Sequence, residues 1–471
     1  MNVKFTGAKK GSAFLWGWVC VLFLMGCSKE DDGPKEDVNS WIYKTMESYY
    51  LWNEEIPEKA NLDFSQSPDN FFRSLLSDQD GKLDFKGQRL LFSTIENKET
   101  TKAIDGTDSY GFDFVPYSVN QNSFYWGLVL YVYPGSPAAE AGLQRGDWIN
   151  GLNGRVNNIT DYSALKKGAS AVFTLARYDA DKKGLTFTRT IEVQSSRPVE
   201  KNPFLKDSVY YFDEIGKRVG YLVYNSFTSG PEGQKDLYDT RMRQLFTRFK
   251  SAAVNEFILD LRYNGGGLVS SAQLLASFLA PSNALGKVFC QTEYNKNHTD
   301  ENVATLFKKS SEVSNANLNL QRLYVLVDEY TASASELVIN SLIPYMNRDN
   351  ITLIGLRTLG KTVGSRAFGE KEGYGWILHP IIFRIYNADH TAHYGNGFEP
   401  DVYLDELEFG ANVQPYGNVK DACLNKALTL ITGRTFKSTS PASSVSEDVC
   451  PLRPSFVRGD WGWLFDKGTA E

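Results

Sequence analysis

The sequence predicts a multidomain protein of the α/β class, and three patterns along the chain predict it. Apolar residues recur at helical spacing between residues 39 and 100, short strands follow from 105 to 195, and strands alternate with helices from 205 onward. With 471 residues, the chain exceeds the size of one ordinary domain. We therefore expect a helical N-terminal subdomain, a β domain, and an α/β domain with largely parallel strands.

The composition is typical of a globular protein, with 42% hydrophobic and 23% charged residues. The net charge of −6 lacks the basic excess that accompanies nucleic-acid binding. No cysteine or histidine pattern has the spacing of metal ligands. We expect no nucleic-acid partner, no metal and no cofactor.

The first 27 residues have the pattern of a secretory signal. Basic residues precede an apolar run from 13 to 26, which is too short to favour a stable membrane span. The quartet Leu24-Met25-Gly26-Cys27 resembles a bacterial lipobox, in which the cysteine is lipidated and becomes the mature N-terminus. The alternative is an uncleaved anchor. The acidic tether that follows resembles the export signal of some Bacteroidetes surface lipoproteins, so the predicted location is the lipid-anchored cell envelope, on the periplasmic face or the cell surface.

Three cysteines remain for the folded body: Cys290, Cys423 and Cys450. They allow at most one disulfide, for which Cys423 with Cys450 is the natural pair in an oxidising compartment. Three isolated buried thiols are the equally open alternative.

Two amphipathic helices are predicted in the N-terminal region. The first runs over residues 41–52 and is stopped by Pro57. The second follows Ser67-Pro68-Asp69, where the proline suits the first helical turn. Their aromatic stripes predict a small core.

The β domain carries a specific run from Gly135 to Ile149, in which a turn, a short Ala-rich helix, a Gly-Asp turn and a strand follow closely. That order resembles a PDZ domain of the bacterial protease type, which binds an extended peptide at a sheet edge. The matching peptide-binding residues are Tyr110, Gly111 and Phe112. Gly111 can adopt the positive φ of an amide nest, or it permits only a bulge.

The α/β domain is predicted from alternating strands and helices. The predicted strands span 219–224, 257–261, 323–327 and 351–355, and the predicted helices 234–252, 269–279 and 335–345. The polar segment 292–317 is predicted to be a mobile loop. Functional residues are expected at the carboxyl ends of the strands.

Two loops follow apolar strands in this domain. The first ends in Gly265-Gly266-Gly267, whose amides could donate to a developing oxyanion or could simply form a tight turn. The second presents Ser333 at a strand-to-helix turn, where a serine is more often a helix cap than a nucleophile. The presence of Lys361 favours the interpretation of Ser333 as a nucleophile, because a buried lysine can become the neutral base that a serine hydroxyl needs.

These motifs, with the Gly395-Asn396-Gly397-Phe398-Glu399-Pro400-Asp401 run, resemble the carboxy-terminal processing (tail-specific) protease family over residues 105 to 430. The resemblance implies a crotonase-like protease domain and a Ser/Lys dyad. It implies Ser333 as nucleophile and Lys361 as general base. The backbone amides of Gly266 and Ala334 would form the oxyanion hole.

Two departures from the family pattern concern the lysine. Ser365 stands where the family often has a glutamine that orients the base, so a shorter hydroxyl would have to do that work. Lys361 also follows Ser333 by 28 residues, a slightly long separation that an insertion near residues 345–350 explains. A Ser/His enzyme using His390 or His393 is the weaker alternative.

The sequence thus predicts a lipid-anchored serine endopeptidase that captures protein or peptide substrates through a PDZ-like domain. The alternative is a peptide-binding envelope lipoprotein with little or no turnover. The predicted segments are the signal peptide (1–26), the tether (27–38), the helical N-terminal subdomain (39–100), the PDZ-like domain (105–195), the protease domain (205–435) and the C-terminal tail (436–471).

Overall fold

The computed structural model describes residues 37–83, 89–98, 108–119, 124–156, 165, 167–179, 181–182, 184–231, 233–369, 373–408, 413–436 and 449–451. The predicted signal peptide, the lipid site Cys27 and nearly all of the tether lie outside these ranges. The described residues from Val38 onward form one compact unit. Within the described ranges, no helix is long and apolar enough to cross a membrane.

The N-terminal region combines the two predicted helices with short strands that were not predicted. Pro68 occupies the first turn of the second helix, where its fixed φ fits and its missing N–H is not needed. The first helix ends well before Pro57. The elements are α1 (Val38–Tyr49), α2 (Pro68–Ser74), β1 (Lys82–Leu83), β2 (Arg89–Leu90) and β3 (Thr94–Asn97).

The core of this region extends into the protease domain. Its aromatic side chains, among them Trp41 and Phe71, pack against Val363, Leu378 and Ile381. The N-terminal region is therefore joined to the protease domain by a shared apolar core.

The middle of the chain is a β domain with one short helix. Its largest sheet has the order β10-β9-β7-β6-β5, with β8 paired to β7. Its elements are β4 (Asp108–Ser109), β5 (Phe112–Val119), β6 (Phe124–Val132), α3 (Pro137–Glu140), β7 (Trp148–Leu152), β8 (Arg155–Val156), β9 (Ala171–Asp179), β10 (Gly184–Val193) and β11 (Arg197–Pro198).

The C-terminal half contains the predicted α/β domain. Its elements are β12 (Phe204–Phe212), β13 (Lys217–Tyr224), α4 (Leu237–Ser251), β14 (Glu256–Asp260), α5 (Val269–Leu279), β15 (Val288–Tyr294), β16 (Val303–Leu306), α6 (Ser311–Ala316), β17 (Leu323–Val327), α7 (Ala334–Met346), β18 (Ile351–Gly355), β19 (Val363–Ser365), β20 (Trp376–His379), β21 (Ile381–Tyr386), β22 (Val402–Tyr403) and α8 (Ala422–Thr432).

The main sheet of this domain has the order β12-β13-β14-β17-β18-β22. All pairs from β13 to β22 are parallel, and β12 alone is antiparallel. Every residue of β14 and β17 is buried, because helices α4, α5 and α7 cover one face of the sheet and α8 covers the other. The predicted α/β class is confirmed.

One prediction about an irregular segment is wrong. The segment 292–317, predicted as a mobile loop, contains the end of β15, all of β16 and helix α6, because its apolar side chains, Val313 and Ala316 among them, pack into the main core. Within the segment assigned to the C-terminal tail, the structure describes β23 (Val449–Pro451), which pairs antiparallel with β5 of the middle domain.

The predicted disulfide is also absent from the described chain. Cys290 and Cys423 are buried free thiols, and Cys423 lies in α8 among apolar side chains of the main sheet. For these two residues the alternative of isolated thiols is confirmed.

Candidate active site

Three adjacent parallel strands place three loops at one edge of the main sheet. Asp260 of β14 pairs with Leu326 of β17, and Val327 pairs with Gly355 of β18. The chain leaves all three strands in the same direction, so the segments that follow them meet. Those segments carry the three glycines, Ser333 and Lys361.

Ser333 lies at the turn between β17 and α7, as the sequence predicts. Its backbone has φ of 55° and ψ of −113°, a conformation that L residues rarely adopt. Such strain costs on the order of 1–3 kcal/mol and persists only where the surroundings enforce it. The side chain is half-buried and lies on a cavity wall.

The buried carboxylate of Glu336 fixes this turn and also holds the lysine segment. Its Oε2 accepts hydrogen bonds from the N–H groups of Ser333 (2.9 Å) and Lys361 (2.9 Å). Its Oε1 accepts from Thr358 Oγ1 (2.6 Å) and from the Gly360 N–H (2.6 Å). One side chain therefore sets the relative position of the serine and the lysine.

Burial raises the pKa of Glu336 to about 7, although its four hydrogen bonds each act to lower the pKa. The carboxyl group is inaccessible to water, so its charged form loses solvation that the four donors only partly replace. Sequence analysis did not assign this residue a role. Its position three residues after Ser333 is a capping-box signal that could have found it.

Lys361 is half-buried beside the same cavity as Ser333. Removal of its ammonium group from water lowers its pKa, against the opposing attraction of Asp80 and Glu336. Its Nζ lies 5.4 Å from the centroid of the Phe92 ring. Among the described residues, no hydrogen bond joins Lys361 Nζ to Ser333 Oγ.

The cavity between the serine and the lysine has a volume of about 90 Å³. Its walls expose both polar and apolar atoms. Ser365 lies on the wall next to the lysine segment, but within the described chain it makes no side-chain hydrogen bond to Lys361. The lining residues are Gly267, Val269, Ser333, Ala334, Leu337, Lys361, Val363, Gly364, Ser365, Phe383 and Ile385.

The predicted oxyanion donors lie next to Ser333 but differ in their hydrogen bonding. The Ala334 N–H, at the first turn of α7, has no partner in the described part of the chain. The Gly266 N–H donates to Asn264 Oδ1 at 2.9 Å. Gly267, rather than Gly266, lines the cavity, and its N–H has no hydrogen-bond partner among the residues described.

A side chain would not fit at the position of Gly266. Its φ is 107°, and an added Cβ would lie 2.8 Å from Ser333 Cβ and 3.0 Å from the Ala334 nitrogen. The glycine run is thus explained by close approach to the serine turn and not by loop geometry alone.

A buried ion network lies under the glycine loop. Arg262 donates to both carboxylate oxygens of Asp260 (2.9 and 2.6 Å). It also pairs with Glu406, which accepts from Arg145 Nη2 (2.6 Å) of the middle domain. Tyr263 donates its hydroxyl to the same glutamate. The base of the loop is therefore tied to the middle domain by charges that are out of contact with water.

The predicted peptide-binding residues are contiguous at the start of β5. Gly111 has the expected positive φ of 77°, and its N–H donates to Ser109 Oγ at 2.9 Å. Tyr110 and Phe112 are buried in the core of the middle domain. Their side chains therefore support the start of β5 from within the core instead of lining a peptide-binding groove.

The four histidines lie elsewhere. His298 pairs with Glu301, His379 with Glu96, and His390 with Glu293. None of the four lines the cavity. The arrangement therefore gives no support to a Ser/His enzyme.

A strained, half-buried serine beside a lysine of lowered pKa, at the carboxyl edge of a parallel sheet, defines a site of the serine-hydrolase class. Comparison with known families makes the class specific. The family model of the Peptidase S41 N-terminal domain matches residues 37–94, and that of the PDZ domain matches residues 128–177. The model of Peptidase family S41 matches residues 218–404.

A solved structure extends the match to most of the chain. A crystal structure of a Bacteroides fragilis protein assigned to the S41 proteases is 34% identical, with a TM-score of 0.74. The alignment covers 84% of this chain and 98% of that one. The chain belongs to peptidase family S41 and is a serine-type peptidase with a PDZ domain.

Two curated relatives carry more specific names. The carboxy-terminal processing protease CtpA of Bacillus subtilis is 28% identical over 73% of this chain and 68% of its own length. A carboxyl-terminal-processing protease of Picosynechococcus is 24% identical, over 64% of this chain and 66% of its own length. The chain thus spans about two thirds of the length of these relatives. The findings confirm the predicted family and do not favour the alternative of an inactive binding protein.

Proposed function

We propose that the protein is a carboxy-terminal processing endopeptidase in which Ser333 is the nucleophile and Lys361 the general base. The observation that carries the proposal is that both side chains face one cavity while desolvation lowers the pKa of the lysine. A lysine is a base only in its neutral form, and burial favours that form.

The reaction would proceed in two acyl-transfer steps. Neutral Lys361 takes the Ser333 hydroxyl proton while Oγ attacks the scissile carbonyl carbon. When the tetrahedral intermediate collapses, the C–N bond breaks, the ammonium returns the proton to the leaving amine, and an acyl-serine remains. Lys361 then takes a proton from water while the water oxygen attacks the ester carbonyl carbon. When this second intermediate collapses, the bond between the acyl carbon and Ser333 Oγ breaks, the ammonium returns the proton to Oγ, and the new carboxyl terminus is released.

The developing oxyanion would bind to backbone N–H groups near Ser333. The Ala334 N–H is already available at the helix N-terminus. The Gly266 N–H would have to exchange Asn264 Oδ1 for the substrate oxygen, whereas the Gly267 N–H needs no such exchange. Two of these three amides suffice for an oxyanion hole.

We propose further that the PDZ domain captures the substrate as an added strand near Tyr110, Gly111 and Phe112. The names of the relatives support substrates that are proteins or peptides processed near their carboxyl termini. The buried link from Arg145 through Glu406 to Tyr263 supports contact between that domain and the glycine loop.

Replacement of Lys361 by methionine tests the dyad. Lys361→Met keeps the length and apolar stem of the side chain but removes the base, so we expect kcat/KM for a cleavable peptide to fall by about 10³-fold or more. Peptide turnover followed by mass spectrometry measures the loss. Lys296→Met, which removes an exposed lysine paired with Glu54, is the control and should keep wild-type turnover. Retention of a tenth or more of the activity in Lys361→Met would contradict the assignment.

We also propose that the mature protein is anchored in the cell envelope through a lipid on Cys27. The lipobox-like quartet supports this. In cells fed a clickable fatty acid, the wild-type protein should carry the label and partition with membranes, because acyl chains add apolar surface that inserts into lipid. Cys27→Ala should lose the label and leave the membrane fraction. A labelled Cys27→Ala protein would show that the lipid is elsewhere.

A further inference from the structure

The surroundings of Lys361 include side chains from the N-terminal region that sequence analysis did not connect to it. Phe92, between β2 and β3, presents its ring 5.4 Å from Lys361 Nζ. An aromatic face at this distance attracts an ammonium ion and also excludes water from one side of it. The ring can therefore hold the lysine side chain in place as well as affect its charge.

Asp80 holds the segment that carries this ring. The aspartate is fully buried, and its Oδ1 accepts hydrogen bonds from the N–H groups of Phe92 (3.0 Å) and Ser93 (3.0 Å). Its Oδ2 accepts from the hydroxyl of Tyr50 at 2.9 Å. The carboxylate therefore fixes the backbone of Phe92 against Tyr50, which directly follows α1, and with it the position of the ring.

The charge of Asp80 also acts on the lysine directly. Burial lowers the pKa of Lys361, and the attraction of Asp80 opposes this more strongly than that of Glu336. Two described cations also lie on this side: Lys82, whose Nζ donates to the carbonyl oxygen of Leu359, and Arg89, whose Nη2 donates to the carbonyl oxygen of Asp80 at 3.4 Å. Arg357 in turn acts on the charge of Lys82. Of the two carboxylates that favour the charged form of the lysine, Asp80 has the larger effect.

The lysine segment is anchored to the N-terminal region on both sides of Lys361. Lys82 holds Leu359, two residues before the lysine. Val363, two residues after it, packs in the apolar core that the N-terminal helices build. In addition, Ser93 Oγ accepts from the N–H of Ile381, at the start of the strand beside β19.

We propose that Asp80 and Phe92 are positioning residues for Lys361, through which the N-terminal region orients the general base and sets the balance between its charged and neutral forms. The inference rests on the proposed function of Lys361. It also accounts for how this chain operates with Ser365 in place of a longer amide: the orienting contacts come from the N-terminal region.

The test uses two readouts on the full-length protein. The first is the pH dependence of kcat for peptide cleavage. The second is the rate at which fluorodinitrobenzene labels Lys361 Nζ at each pH, followed by mass spectrometry, since only the neutral amine reacts. The labelling measures the lysine directly and does not require catalysis.

In Asp80→Asn the amide can keep the acceptor for Phe92 and Ser93, but the negative charge is gone. We expect the labelling midpoint of Lys361 and the matching limb of the kcat profile to move together to lower pH by about one unit, with KM unchanged. In Phe92→Leu, the labelling midpoint and the limb of the kcat profile should both move to lower pH by roughly half a unit, and kcat should fall. In Phe92→Tyr, which keeps an aromatic ring, both should stay at their wild-type values.

Asp69→Asn is the matched control, because it removes an exposed aspartate of the same region that pairs with Arg73. It should move neither midpoint. If Asp80→Asn lowers activity while the labelling midpoint stays at the wild-type pH, the inference is overturned, even though an inactive Lys361→Met would still support the dyad. Full activity in Lys361→Met would refute the dyad instead, and the labelling midpoint would still decide whether Asp80 acts on the lysine.

Discussion

Replacing Ser333 with alanine should abolish peptide cleavage while the protein stays folded. With no hydroxyl there is no acyl-enzyme, and removal of a serine nucleophile costs about 10⁴-fold or more in kcat. The unfolding free energy should change by no more than about 1 kcal/mol, the size of a lost helix cap. Cleavage assays and thermal unfolding on the same preparations measure the two quantities.

Ser341 offers a matched control in the same helix. Its hydroxyl is buried and has no hydrogen-bond partner among the described residues. Ser341→Ala therefore removes the same atom two turns away and should leave turnover at the wild-type level. If Ser333→Ala and Ser341→Ala cleaved equally well, another group would have to be the nucleophile.

The sequence was sufficient to predict the parts of the site that depend on strand order. Apolar runs marked β14, β17 and β18, and parallel neighbours necessarily bring the loops after Asp260, Val327 and Gly355 to one edge. This is why Ser333 and Lys361 were predicted to meet although 28 residues separate them.

The contacts that support Lys361 could not be predicted in the same way. Asp80 and Phe92 precede the lysine by more than 260 residues, and their segment has no motif that links it to the active site. They meet the lysine only because the N-terminal region and β19 share an apolar core. Similarly, the polar composition of the 292–317 segment suggested a loop, whereas tertiary packing of a few apolar residues orders it.

Glu336 should give the enzyme a dependence on pH near neutrality. The raised pKa, about 7, means that the native protein keeps a proton on this group over a range where the unfolded chain, with a value near 4.5, has lost it. Since the native state then binds more protons, the unfolding free energy contributed by this group decreases as the pH rises from about 4.5 to about 7. The decrease is on the order of 3 kcal/mol.

Activity should follow the opposite trend. The ionised carboxylate accepts from all four donors on Ser333, Thr358, Gly360 and Lys361, whereas the protonated form turns one of its oxygens into a donor. The tie between the serine turn and the lysine segment is therefore complete only above about pH 7. We expect kcat to rise through this inflection.

Glu336→Gln imitates the protonated carboxyl group at every pH, because an amide offers one acceptor oxygen and presents an N–H₂ group to the other two donors. At pH 8 its kcat should lie about 10²-fold below that of the wild type, since buried donors without an acceptor cost about 1–3 kcal/mol each. The inflection near 7 should disappear, together with the slope of unfolding free energy between pH 4.5 and 7. The limb of the kcat profile that reflects the titration of Lys361 should remain. It should move to lower pH, because the charge of Glu336 favours the ammonium form of Lys361.

Urea unfolding and peptide turnover, each measured from pH 4.5 to 9, separate these effects. Glu312→Gln is the control, since it removes an exposed glutamate that pairs with Arg243 and should change neither curve. A Glu336→Gln protein that kept both the stability slope and the inflection would show that another group titrates near pH 7. Loss of both features together would show that a single buried carboxyl group couples protonation to the geometry of the serine and the lysine.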